Sequence, residues 1–509
     1  MIFLTKVQLG RRQVLLLLGA AAGLGVVSLA VKNLVVRWRL RKLPGLRNYP
    51  VLGSSLEMAR VSKNKEPFEV LMSMSRRFEN EPAWVIWRGL RPVVIIQSGA
   101  SMEPILTSST YIGKAHNLAR EFLGNSLFHS TGQTWRNRRK LMAPAFQMEV
   151  LKSFKDQIHL SLMDAVAQVA EHKGAPFDLQ ALVGQTAFDH LLDTLFAFDG
   201  KWSDSISKDL RKELFSVAVT LLTNNVSKLE SFTCRLPILG PYTSIMATER
   251  RCLTTIIEKT KYLIEIKKEH RKKEVLHPPR LIHLLLDELE RPDSILTLVD
   301  VIVEIVAFVY AGSHTTASAL TWAFFQLALH QDVQDKLRTE LLQRFKPDAE
   351  LSLEELNALP YLDCVIKECL RLLPPIPMVS RSDHAIAIPL NNGKTVTIPA
   401  NVEVDLFIAG AHRYKQAWGV DADVFDPDRF LDPARDARND NVFNFMPFSV
   451  GLRGCIGQRY GDYFLKAFIA QLLMNYKINT SLTLDTVKPY LAATLFAKNG
   501  LLVTANQLT

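Results

Sequence analysis

Cysteine is scarce in this chain: five among 509 residues, at Cys234, Cys252, Cys364, Cys369 and Cys455. The odd number and irregular spacing exclude a disulfide framework and fit a reduced domain facing the cytosol. Dividing features are missing as well. No Gly/Ser-rich linker and no internal repeat interrupts the sequence, so a length that would ordinarily suggest two or three domains reads as one large domain. Acidic residues are absent until Glu57, and nine of the Lys and Arg residues fall within the first 47 positions. The net charge of +10 is accompanied by no nucleic-acid motif. Its partners are therefore expected to be a membrane surface and an acidic protein, not a nucleic acid.

The N-terminal region contains one run free of charge, the 19 residues from Gln13 to Val31. As a helix it covers roughly 28 Å, the thickness of a bilayer's hydrocarbon core. Lys6, Arg11 and Arg12 precede it, and Lys32, Arg37, Arg39, Arg41 and Lys42 follow it, so the heavier positive side should stay cytoplasmic. The expected organisation is an anchor over 1–32 (span about 13–31), a basic proline-containing hinge over 33–53, and the main domain over 54–509. A cleaved signal peptide or a mitochondrial presequence is the competing reading; the length of the run and Lys32 directly after it argue against cleavage.

Alternating apolar stretches around Trp84–Trp87 and Val93–Ile96 predict a hairpin joined across Gly89 and Pro92. Asn391-Asn392-Gly393 and Asn499-Gly500 are two further hairpin signals. The rest reads as mainly helical. The longest helical pattern runs from about Ser294 to about Leu329, with Pro292-Asp293 as its starting signal, and is apolar on most faces. The polar stretch from His270 to Arg280 reads as a surface connection.

Ten residues are the most informative: Phe448-Ser449-Val450-Gly451-Leu452-Arg453-Gly454-Cys455-Ile456-Gly457. Gly451 and Gly457 let the backbone turn tightly around Cys455. Amide N–H groups can then stabilise a thiolate while Phe448 shields it from water, and such a thiolate on haem iron favours O–O cleavage. The spacing Phe-x-x-Gly-x-Arg-x-Cys-x-Gly resembles the haem-binding signature of the cytochrome P450 family. Further motifs occur in that family's order. Trp135-Arg136-Asn137-Arg138-Arg139 resembles its Trp-x-x-x-Arg, which implies that Trp135 and Arg139 address the haem propionates. Ala311-Gly312-Ser313-His314-Thr315-Thr316 resembles its oxygen-activation motif. Phe308, Ala311, Gly312 and Thr315 share one helical face, where small side chains leave room for dioxygen. The Thr315 hydroxyl can donate toward oxygen or bond back to the i−4 carbonyl. The acid usual before the threonine is replaced by His314, for which a proton relay and a purely structural role both stand open.

Glu368 and Arg371 lie three apart, and Arg429 in Phe425-Asp426-Pro427-Asp428-Arg429-Phe430 matches the third member of the family's buried Glu/Arg/Arg triad. The resemblance also gives Arg381 and Arg453 as propionate contacts, since forked guanidinium groups suit carboxylates. Leu43-Pro44-Gly45 and Tyr49-Pro50 resemble the family's proline-rich hinge. Local phrases such as Leu123-Gly124-Asn125 and Met142-Ala143-Pro144-Ala145-Phe146 look like the microsomal eukaryotic branch.

The resemblance implies a mainly α fold with a small β subdomain around haem b (iron protoporphyrin IX). It implies a monooxygenase that inserts one atom of O2 into a hydrophobic lipid, steroid, terpenoid or xenobiotic. Cys455 would ligate iron, with Trp135, Arg139, Arg381, Phe448, Arg453 and Gly457 around the cofactor and Thr315 with His314 in catalysis. Phe308, Ile376, Met378, Val379, Leu495 and Phe496 are equally placed to line the substrate pocket or to pack the core. Electrons would come from NADPH through NADPH-cytochrome P450 reductase, with cytochrome b5 as a second donor, docking on a basic face that includes Arg136, Arg138 and Lys140. The location would be the endoplasmic reticulum membrane, single-pass, with a cytosolic catalytic domain. A reductase-independent haem-thiolate lyase or isomerase and a non-catalytic haem sensor are the alternatives.

Overall fold

A computed structural model of the chain describes residues 28, 31–114, 123–197, 207–230, 234, 239–271, 278, 280–391 and 393–508. Most of the 13–31 run and of the 270–280 connection lies outside the described residues. Nine helices frame the site: α1 (Gly132–Met142), α2 (Lys155–Glu171), α3 (Leu179–Phe196), α4 (Lys208–Glu230), α5 (Ser244–Arg271), α6 (Leu281–Leu289), α7 (Leu298–Leu329), α8 (Pro360–Leu372) and α9 (Gln458–Asn475). Among the described residues the short strands are, in chain order, β1 (Ala83–Arg88), β2 (Arg91–Ile96), β3 (Phe177–Asp178), β4 (Val379–Arg381), β5 (Ile386–Pro389), β6 (Thr395–Ile398), β7 (Glu403–Leu406), β8 (Tyr476–Asn479), β9 (Pro489–Leu491), β10 (Leu495–Ala497) and β11 (Leu502–Gln507). The chain is mainly α with small sheets, as the sequence predicts.

Helix α7 runs through the middle of the fold and packs against α3, α5, α8 and α9. It starts later than the Pro292-Asp293 signal suggests. Ser294 and Leu296 first close a side-chain turn, and Thr297 then forms a capping box with Asp300, accepting from the Asp300 N–H at 3.2 Å while the Asp300 carboxylate accepts from the Thr297 N–H at 2.9 Å. Among the described residues this is the helix long and apolar enough to cross a membrane, but it belongs to the protein core. Gly312 lets α3 come close: a Cβ there would stand 2.6 Å from Leu191 Cδ2. Its missing side chain thus serves helix packing too, while Ala311, Gly312 and Thr315 stay half-buried.

The main sheet has the order β1-β2-β7-β4. β1 and β2 pair antiparallel as predicted, but the turn is only Gly89-Leu90; Pro92 already lies in β2, opposite Trp87. β2 and β7 run parallel, and β7 pairs antiparallel with β4, which fixes Arg381 opposite Val404. β5 and β6, on either side of the second hairpin signal, pair antiparallel as expected; Asn392 itself lies outside the described residues. The Asn499-Gly500 turn joins two strands that do not pair with each other: β10 pairs with β9, and β11 with β3 and β8. The cause is Asp178, whose carboxylate accepts from the Leu501 N–H at 2.9 Å and draws the chain away.

Residues 31–40 are helical, so the expected hinge begins inside a helix. The following turn docks on the sheet through the Val85 N–H, which donates to the Pro44 carbonyl at 2.9 Å, and through buried Leu40, Leu43 and Leu46. Leu34, Val35 and Trp38 of that helix remain exposed.

Candidate active site

The loop around Cys455 is a closed turn. The Cys455 N–H donates to the Phe448 carbonyl at 2.9 Å and the Gly454 N–H to that of Gly451 at 3.0 Å. Gly451 has φ +74, and a Cβ there would lie 1.9 Å from the Leu106 carbonyl oxygen, so only glycine fits. Ser449 shares the left-handed region with φ +56. Gly457 does not: its φ of −90 suits many residues, and it serves as the N-cap of α9. Cys455 is accessible at its surface yet densely surrounded by protein atoms. Burial pushes its thiol up, opposed by the Gly457 backbone N–H and the Arg139 charge.

Four cations converge near that thiol. Arg453 stacks on buried Trp135, its guanidinium 4.4 Å from the ring centre, and donates to the carbonyls of Ile112 (3.0 Å) and Ser130. Burial, then Arg381 and Arg139, push it down to about 9. Arg381 is pushed down to about 10 by burial. Lys114 forms a backbone bridge with Arg381 and is held well below its usual range by burial, Arg381 and Arg453. Arg139 is lowered by burial and feels Cys455. Among the described residues, no carboxylate pairs with any of these four.

Behind the loop sits a compensated cluster. Arg371 donates to Glu368 through Nε (2.7 Å) and Nη2 (2.8 Å), Arg429 Nε donates to Glu368 at 3.3 Å, and all three side chains are 0% exposed. The expected triad is therefore assembled, and Trp418 stacks under Arg371 with 5.0 Å from guanidinium to ring centre.

The sequence model of the cytochrome P450 family matches residues 43–499. The chain belongs to the cytochrome P450 family. It is similar to cytochrome P450 4c21 of Blattella germanica, at 28% identity over 90% of this chain and 91% of that protein. Cytochrome P450 4V2 of Rattus norvegicus is 27% identical over 92% of each chain, and cytochrome P450 4F3 of Mus musculus 27% over 91% and 90%. The chain is accordingly a haem-dependent P450 monooxygenase. Its residues fit the cofactor: one reachable thiol, and beside it buried cations that repel each other and lack a counter-anion, as two propionates would supply.

One basic residue leaves the expected P450 docking face. Arg138 is buried and donates to Glu304 at 2.6 Å and Asp300 at 2.5 Å, while Glu304 also accepts from the Leu127 N–H at 2.9 Å. It ties α1 to α7. Arg136 and Lys140 remain exposed. Lys114, in contrast, is a site residue the sequence did not reveal, since its bridge to Arg381 depends on a long-range contact with no spacing signature.

On α7, half-buried Thr315 donates through Oγ1 to the Ala311 carbonyl at 2.7 Å, the back-bonded option. His314 is not brought to that face. Its ring packs edge-on to Tyr310, with centroids 4.8 Å apart, and it hydrogen-bonds the Ala218 backbone on α4; its Nε2 is buried without a partner. Burial pushes it down to about 4, so it is neutral at physiological pH. Phe308 stacks on Phe146, centroids 5.6 Å apart. Phe496 packs with Leu123, Ala307 and Tyr310, and Ile376, Met378 and Val379 are also half-buried. Leu495 is fully buried in the core.

Lys114→Met should release haem to a scavenging haem-free globin roughly tenfold faster, the equivalent of one lost charge-assisted hydrogen bond. An unchanged release rate would remove Lys114 from the site. For His314 the sign is fixed by its lowered folded pKa. Above the unfolded value near 6.5 both states are neutral. Between there and about 4 only the unfolded chain gains the proton, so stability falls as pH drops. His314→Phe should make the urea midpoint less sensitive between pH 6.5 and 4; an unaltered slope would contradict the burial.

Proposed function

We propose that Cys455 is the thiolate ligand of haem b and that the protein hydroxylates or epoxidises an apolar small molecule. RH, O2, NADPH and a proton would give ROH, water and NADP+. The observation that carries the reading is the reachable Cys455 beside four cations with which no carboxylate among the described residues pairs. When bound, the haem supplies oxygen activation, assisted by electron donation from the thiolate.

The chain's own residues bind and orient. Arg139, Arg381, Arg453 and Lys114 hold the propionates, with Trp135 bracing Arg453 from its ring face. The Gly457 N–H favours the ionised sulfur and Phe448 shields the loop. Thr315 would turn its hydroxyl from the Ala311 carbonyl and pass on a proton at Oγ1 as it accepts another from solvent water, while His314 acts by packing α7 against α4 and carries no proton. Phe308 and Phe496 with their apolar neighbours suit a hydrophobic substrate; lipid, steroid, terpenoid and xenobiotic all meet that chemistry.

NADPH-cytochrome P450 reductase is the proposed electron source, with cytochrome b5 as a second donor, docking at exposed Arg136 and Lys140. Anchor 1–32 would hold the protein in the endoplasmic reticulum membrane with residues 54–509 in the cytosol. The exposed Leu34, Val35 and Trp38 support that placement beside lipid.

The test is reconstitution with purified diflavin reductase, NADPH and 18O2 against a panel of apolar compounds. One labelled oxygen per product, with matching NADPH consumption, is expected. Conversion of a peroxide without NADPH would establish the lyase or isomerase instead, and haem binding without turnover of any compound would favour a sensor.

A further inference from the structure

One buried histidine lies between the charged cluster and the Cys455 loop. His412 is 0% exposed, just after the short helix Ile408–Ala411. Its Nδ1 lies 3.2 Å from the Arg371 carbonyl, and its Nε2 accepts from the Met446 N–H at 2.9 Å. A carbonyl only accepts and an amide N–H only donates, so the ring must be neutral with its proton on Nδ1. The tautomer is set by its two partners. Arg371 returns the contact by donating to the His412 carbonyl at 2.9 Å, and the Phe445 ring lies 5.1 Å from the imidazole.

Met446 stands at the entrance to the loop that carries the sulfur. The Met446 carbonyl accepts from the Ser449 N–H at 2.8 Å, fixing the first turn of the loop, and the Phe448 carbonyl two residues on accepts from the Cys455 N–H at 2.9 Å. Backbone position therefore passes from Glu368 through Arg371 and His412 to Met446, and from there to the residue carrying the sulfur. Burial and the Arg371 charge push His412 down to about 3, so the hook stays neutral across the working range.

We propose that His412 is a positioning residue for the thiolate: its Nε2 lone pair holds Met446, and through it the Cys455 loop, in register with the Glu368–Arg371 cluster. The inference rests on Cys455 being the haem ligand. It predicts that loosening this one acceptor lets the sulfur protonate or leave the iron while the rest of the fold survives.

The experiment compares His412→Gln, His412→Asn and His412→Phe in the full-length holoprotein, reduced under CO. It reads the fraction of haem with the thiolate Soret band, the rate at which that band converts to the thiol-ligated form, and the thermal midpoint. Gln can place Oε1 where Nε2 was and accept from Met446, so it should keep most of the band. Asn stops at the Nδ1 position and Phe fills the ring volume without a lone pair; both should convert about tenfold faster than wild type. A wild-type band and rate in the Phe variant overturns the inference, as does a Gln variant that converts, or fails to take up haem, as badly as Phe. A wild-type protein without the thiolate band instead overturns the reading of Cys455 itself.

Discussion

Like charge held together without a counter-ion is the constraint on which this structure depends. Lys114, Arg139, Arg381 and Arg453 are gathered from a strand, a helix and two loops into one poorly solvated region, where burial lowers the pKa of all four and neighbouring cations lower those of Lys114 and Arg453 further. Gathering buried cations costs several kcal/mol per ion unless an anion answers them. In the proposed reading a dianionic cofactor would answer them and at the same time offer iron to Cys455. Haem bound there would be part of the energetics of the fold, and its binding would shift stability by linkage.

The opposite solution stands on the other side of the loop. Glu368 pairs with Arg371 and Arg429, the Asp421 carboxylate answers Arg429 as well at 3.3 Å, and backbone carbonyls of His412, Val424 and Asp421 accept further guanidinium donors. That cluster needs no ligand. It provides a fixed platform from which the Cys455 loop is hung, with Gly451 pressed against Leu106 and α9 starting at Gly457. Arg138 and Glu304 perform a comparable service elsewhere, holding the helix that carries Arg139 to the helix that carries Thr315.

Much of this was legible in the sequence because it depends on local spacing. The Cys455 loop, the Glu368/Arg371 pair on α8, the β1–β2 hairpin and the apolar α7 are all short-range patterns, and the structure assembles each. What was illegible depends on contacts between distant segments. Arg138 looked like its exposed neighbours Arg136 and Lys140 until Glu304, far along the chain, was found beneath it. Lys114 gains its place through the backbone bridge to Arg381 and through the Phe128 ring, 3.9 Å from its ammonium. The Asn499-Gly500 turn has the local chemistry of a hairpin, yet Asp178 decides the pairing of the next strand. His314 neighbours Thr315 in sequence, but the helical advance of about 100° per residue turns it toward α4.

The most direct measurement is the spectrum of the reduced CO complex of the wild-type protein beside that of Cys455→Ala. The account predicts the long-wavelength Soret band of thiolate-ligated haem in the wild type and its complete loss in the variant, while the replacement of any other cysteine leaves it intact. A band that persists in Cys455→Ala, or that disappears instead on replacing Cys364 or Cys369, would contradict it.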